Sequence, residues 1–114
     1  MSASPEGTRA TLPPHRGIRA FQEQIEAIYG ERDQARGLAS THMWFVEEVG
    51  ELARALRARE PQNLREEFGD VFAWLCTLAS MTGVDMEEAA RRYADGCPRC
   101  TGTPCACSRG PSRA

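Results

Sequence analysis

Two stretches with helical apolar spacing flank a proline, and each sets carboxylates among its largest hydrophobic residues: "WFVEEVGELARAL" from Trp44 and "LREEFGDVFAWL" from Leu64. In the first, Phe45, Val46, Val49, Leu52, Ala53 and Leu56 recur at intervals that line one side of a helix. In the second, Leu64, Phe68, Val71, Phe72, Leu75, Leu78 and Ala79 do the same. Proline disfavours helical geometry in the residue before it, so Pro61 should end the first helix at about Glu60. The next helix is expected from about Gln62 to Thr82, with Gly83 suited to a left-handed cap. A link this short makes the two helices antiparallel neighbours.

The remainder of the chain extends the helical pattern. Phe21, Ile25, Ile28 and Tyr29 predict a helix from Ile18 to about Arg36, stopped by Gly37. The segment "GLAST" reads as a loop in which Ser40 or Thr41 caps the following helix. Asp85, with Glu88 three residues on, resembles a capping box and predicts a fourth helix to about Ala94. No period-two strand pattern or internal repeat is present. The expected organisation is a disordered segment over 1–16, an all-α bundle of about four helices over 17–95, a Cys-rich appendage over 96–108 and a disordered end over 109–114.

At 114 residues the chain supports one domain with a modest core, so a homodimer or homotetramer is expected. The formal net charge of −2 gives no electrostatic drive toward a nucleic-acid polymer or an anionic membrane. Without an apolar run of membrane-spanning length or a hydrophobic signal core, a cytoplasmic location is expected.

The carboxylates pose the functional question. Glu47, Glu48 and Glu51 crowd one flank of the second helix, and Glu67 and Asp70 are three apart on the third. Like charges at these spacings repel, more strongly when partly buried, so a positive group should sit between them. Across an antiparallel pair, Glu48 and Glu51 can face Glu67 and Asp70 and form an oxygen-rich cage for a hard divalent cation such as Mg²⁺. The alternative is a solvated acidic flank paired with Arg54, Arg57 and Arg65.

The segments "EEVGE" and "EEFGD" resemble the MazG family of nucleoside triphosphate pyrophosphohydrolases, whose motif is E-x-x-E, a spacer and E-x-x-D. Here the motif falls on Glu48, Glu51, Glu67 and Asp70, with 15 residues between Glu51 and Glu67. The similarity runs over about residues 18 to 95, including "GVDMEEAARRY". It implies an oligomeric all-α bundle that cleaves an NTP or dNTP to the monophosphate and pyrophosphate with Mg²⁺, or Mn²⁺, as cofactor. It further implies that Glu48, Glu51, Glu67 and Asp70 are metal ligands, and that Glu47 binds a second metal or activates water. Arg91 and Arg92 stand where family members carry basic residues, and either contact the triphosphate or pair with Glu87 and Glu88. His42 and Trp44 can line a base pocket, against a surface role for His42 and a packing role for Trp44; for Trp74 the core is the favoured place. Phosphoribosyl-ATP pyrophosphohydrolase is the rival within the superfamily, and a non-catalytic zinc-containing interaction module the rival outside it.

Five cysteines divide into Cys76, a small core residue within an apolar helix pattern, and four near the end: Cys97, Cys100, Cys105 and Cys107. Four thiolates in eleven residues, with Pro98, Gly102 and Pro104 favouring tight turns, suit a closed structural Zn²⁺ site. An Fe–S cluster or a redox-active tail is the other option at this spacing.

Overall fold

The computed structural model describes residues 17–108; the expectations for residues 1–16 and 109–114 lie outside the described residues. Four α-helices follow in order: α1 Ile18–Arg36, α2 Leu38–Ala58, α3 Pro61–Met81 and α4 Met86–Ala90, the last continuing as a 3-10 turn over Arg91–Tyr93. No strand occurs among the described residues, and no helix there is long and apolar enough to cross a membrane. The fold is the expected all-α bundle, with α2 against α3 as its most extensive pairing and α1 packed across both.

The junctions differ in detail from the sequence expectations. The "GLAST" loop does not form: Gly37 alone separates α1 from α2, at φ 88° and ψ 161°, in the positive-φ region that favours glycine. Thr41 does not cap the helix. Its hydroxyl donates to the Gly37 carbonyl at 2.7 Å and accepts from Arg36 Nη1 at 3.2 Å, one turn inside α2. Arg36 also binds Asp33 at 2.8 Å, so the buried Asp33 and Thr41 brace the kink through one guanidinium.

Pro61 acts later than expected. The left-handed Arg59, φ 59°, ends α2 at Ala58, and Pro61 is the first residue of α3, where its missing N–H costs no hydrogen bond. Glu60 caps that helix by accepting from the Asn63 N–H at 2.7 Å. Gly83, φ 80°, closes α3 as the sequence suggests: the Val84 N–H reaches Ala79 O at 2.8 Å and the Gly83 N–H reaches Ser80 O at 3.2 Å. This is the paired Schellman arrangement. Asp85 caps α4 by accepting from the Glu87 and Glu88 N–H groups, and also binds Arg19 Nε at 2.9 Å. The fourth helix is shorter than predicted, because after Ala90 the chain tightens into the 3-10 turn.

Which side of α2 faces inward is the main correction. Thr41 and Ala55 are buried and Phe45, Glu48 and Leu52 half-buried, a stripe of alternating three- and four-residue steps. Of the expected apolar face, Phe45 and Leu52 turn inward, but Val46, Val49 and Leu56 remain 54%, 42% and 47% exposed. On α3, Leu64, Glu67, Val71, Trp74 and Leu78 are half-buried along one stripe, and Cys76, Thr77 and Ala79 are buried near its end. A glutamate therefore occupies a core-facing position on each helix. Around them the core is small: Phe21 stacks on Phe72 with centroids 4.8 Å apart, and Gln22 ties α1 to Ser80, Val84 and Met86.

Candidate metal centre

Helical register, rather than a loop, places the acidic group. Glu48 projects from the middle of α2, while Glu67 and Asp70 come from the first half of α3, and one oxygen from each lies within 4.8 Å of the others. Glu48 and Glu67 are half-buried and Asp70 is exposed, so the group opens on one side. Burial first, then the charges of Asp70, Glu67 and Glu51, pushes the Glu48 carboxyl above the ordinary carboxylate range. Burial, then Glu66 and Glu51, does the same to Asp70. Glu67 Oε1 is fully removed from solvent with no hydrogen-bond partner. A buried carboxylate oxygen without a donor is costly, and a cation held with Glu48 and Asp70 would satisfy it. Three hard oxygen donors with an open side fit a Mg²⁺ ion that keeps other positions for water or phosphate.

Glu51 stands outside the close trio. Its carboxylate lies 3.4 Å from Arg54 Nη2, on an exposed pair of little energetic weight, yet it is near enough to raise both Glu48 and Asp70. Of the arginines expected to screen the flank, only Arg54 forms an ion pair among the described residues; Arg65 bonds Gln62 instead. Glu47 is exposed and shares a shallow depression with Ser40, Met43 and Trp44 that none of the trio lines. Trp44 is 52% exposed rather than packed in the monomer, and His42 is exposed on the second turn of α2. Arg91 and Arg92 are exposed on the 3-10 turn, with no ion pair to Glu87 or Glu88 among the described residues.

A cleft of about 220 Å³ beside Asp70 brings in residues that the sequence reading did not single out. Tyr29, Arg32 and Arg36 of α1 face Asp70, Trp74 and Thr77 of α3 across it. The Arg36 guanidinium lies over the Trp74 ring, 5.0 Å from its centroid, so Trp74 forms a half-buried wall rather than core. The spacing of Tyr29, Arg32 and Arg36 already put them on one face of helix one, but nothing in sequence said that this face meets the acidic helix.

A second group of metal-type ligands lies beyond the bundle, where the sulfurs of Cys97, Cys100, Cys105 and Cys107 converge. Backbone N–H groups of Cys100 and Arg99 pull the Cys97 thiol down to about 6. Neighbouring sulfurs, Cys105 and Cys97 foremost, push Cys107 up to about 12.

The model of the MazG nucleotide pyrophosphohydrolase domain matches residues 36–99, from the end of α1 through the 3-10 turn and into the start of the tail. The chain is also similar to the uncharacterized protein YvdC of Bacillus subtilis (strain 168), at 36% identity over 66 residues covering 44% of this chain. It spans 62% of that relative's length. The matched region contains the whole antiparallel pair and all three members of the acidic trio. On that match, covering more than half of its length, the chain belongs to the MazG nucleotide pyrophosphohydrolase family.

Proposed function

We propose that this protein hydrolyses a nucleoside or deoxynucleoside triphosphate between the α and β phosphorus, giving the monophosphate and pyrophosphate. The observation that carries the reading is the acidic trio with its unpartnered Glu67 Oε1, opening beside a cleft that shares Asp70. Glu48, Glu67 and Asp70 would hold Mg²⁺ or Mn²⁺, with Glu51 beside them as a fourth candidate ligand. When bound, the ion supplies charge neutralisation to the triphosphate.

The chain's own residues do the rest. Arg32 brings to the cleft a forked donor that suits phosphate oxygens, while Arg36 is already held by Asp33 and Thr41 and keeps only its remaining N–H groups for a ligand. Tyr29 supplies flat apolar surface for a base, beside a Trp74 ring that Arg36 covers. Water adds to the α phosphorus, the bond to the bridging oxygen breaks, and pyrophosphate leaves with that oxygen. Outside the trio on α2, Glu47 or, in place of its role as a ligand, the Arg54-paired Glu51 would accept the water's proton. Arg91, Arg92, Trp44 and His42 do not line this cleft, and a nucleotide contact from them would be made outside it or across to a neighbouring copy.

A second copy also suits the exposed apolar residues of the main pair. Val46, Val49, Leu56, Phe68 and Leu75 stay exposed, while the buried apolar residues among those described are only Ile25, Ala55, Cys76 and Ala79. So small a core favours burial of α2 and α3 in a homodimer or homotetramer, with a cytoplasmic enzyme as the working form. The test is pyrophosphate release from a panel of NTPs and dNTPs with and without Mg²⁺, with Glu67→Gln as the blank. Mg²⁺-dependent release absent from the variant is expected; undiminished release by the variant would falsify the assignment.

A further inference from the structure

The family match ends at residue 99, and a second site begins just inside it at Cys97 and runs beyond it to Cys107. From Gly96 to Ser108 the chain has no helix or strand and no buried residue. Nevertheless four sulfurs meet there: Cys97 and Cys107 at 3.8 Å, Cys100 and Cys105 at 3.9 Å, and Cys105 and Cys97 at 3.6 Å. A tetrahedral ion with metal–sulfur bonds of about 2.3 Å sets its sulfurs about 3.8 Å apart. The observed separations surround that value. An Fe–S cluster spreads its thiolates around a polyatomic core and would hold them farther apart.

The backbone is shaped to the same end. N–H groups of Arg99, Gly102, Ala106 and Cys107 point at the sulfurs of Cys97, Cys100, Cys100 and Cys105, at 3.4, 3.4, 3.1 and 3.4 Å. Such bonds orient thiolate ligands and spread their negative charge, as outer-shell donors do in metal sites. The Cys97 N–H closes onto Gly102 O at 3.0 Å and the Thr101 N–H onto Cys97 O at 2.7 Å, making a tight knuckle. Gly96 adopts φ 103°, and a Cβ there would meet Thr101 O at 2.7 Å. With no hydrophobic core, the segment has little besides a bound ion to hold four sulfurs this close.

We propose that Cys97, Cys100, Cys105 and Cys107 bind one zinc ion in a closed, four-thiolate structural site that ties off the end of the helical domain. All four protein ligands are sulfur, so no position is left for a substrate or water, and the site is independent of the acidic trio. The experiment is elemental analysis of the full chain purified without chelator, followed by replacement of the metal with Co²⁺. About one zinc per chain is expected, retained in Glu67→Gln and lost in the Cys97→Ser, Cys107→Ser double variant, with the visible spectrum of tetrahedral thiolate-bound cobalt after exchange. Far-ultraviolet circular dichroism of the double variant should keep the helical signal, which separates loss of the site from loss of the fold. Zinc retained by the double variant, iron in place of zinc, or an intact mass showing disulfides among these cysteines would each overturn the assignment. So would a native preparation, metal-free with reduced thiols, that takes up neither Zn²⁺ nor Co²⁺.

Discussion

The acidic trio and the cysteine knuckle both gather anionic ligands, but they are supported in opposite ways. Glu48, Glu67 and Asp70 ride on two long helices whose hydrogen bonds and packing exist whether or not an ion is present. The cysteines sit in a segment without regular structure, in which the ligands are the main thing being organised. The difference teaches what removal of metal should do in each place. In the bundle it leaves a pre-formed site under electrostatic strain, and in the tail it removes the reason for the conformation.

The largest effect expected from that contrast is in catalysis. Glu67→Gln removes the charge from the one carboxylate among the described residues whose oxygen is buried without a partner, and should lower pyrophosphate release by more than about a hundredfold while the helical signal persists. A variant that unfolds instead would show that the bundle, like the tail, depends on its ligands. Arg36→Ala tests how firmly the cleft is pre-formed. It strips Asp33, 5% exposed, of its cation and Thr41 of a donor, and uncovers Trp74. A loss of about 3 kcal/mol in unfolding free energy is expected from denaturant titration. A change below about 0.5 kcal/mol would mean that the α1–α2 kink is held by Gly37 alone.

A smaller effect should come from the tail. Gly96→Ala forces a Cβ against Thr101 O and Thr103 Oγ1 at a positive φ, which should weaken zinc binding about tenfold or more in a competition with a chromophoric chelator. The melting of the helices should not move. If it does, the knuckle supports the bundle and the two regions are not independent.

These contrasts also mark what the sequence could and could not disclose. Helix spacing in α1 and α3, Gly83 as a left-handed cap and Asp85 as an N-cap were legible because each depends on chemistry local to a few residues. The single-glycine junction at Gly37 was not, since a Ser-Thr segment suits a cap and only the packing of Thr41 under Arg36 shows that the helix has already resumed. The rotation of α2 was missed for a related reason. Hydrophobic periodicity finds a broad apolar face, here from Phe45 to Leu56, whereas the part turned inward within one subunit keeps Phe45 and Leu52 but adds Thr41 and Glu48 in place of Val46, Val49 and Leu56. A chain with apolar residues on two sides of one helix cannot be oriented by periodicity alone. The acidic motif was readable from spacing, but the α1 side of the cleft, with Arg32 and Arg36, depends on a tertiary contact.

The smallest effect is the most direct measure of strain in the trio. Burial and neighbouring charge raise Glu48 and Asp70 in the folded chain, so the metal-free native state binds protons more tightly than the unfolded state. The resulting penalty is fully present above the folded pKa values and absent below the unfolded ones. Metal-free protein should therefore gain stability as the pH falls from neutral through this window. Asp85 runs the other way: its bond to Arg19 lowers it, so its contribution is present above the ordinary aspartate range and lost only as the pH falls through the depressed value. The two opposing trends predict a melting temperature that first rises on acidification and then declines. With saturating Mg²⁺ the initial rise should vanish, because protons then compete with the ion for the same oxygens, and in Glu48→Gln it should shrink even without metal. A metal-free curve that only falls from neutral pH, unchanged by Glu48→Gln, would show that these carboxylates do not strain the helices. The bundle site would then be as dependent on bound metal for its close geometry as the knuckle is.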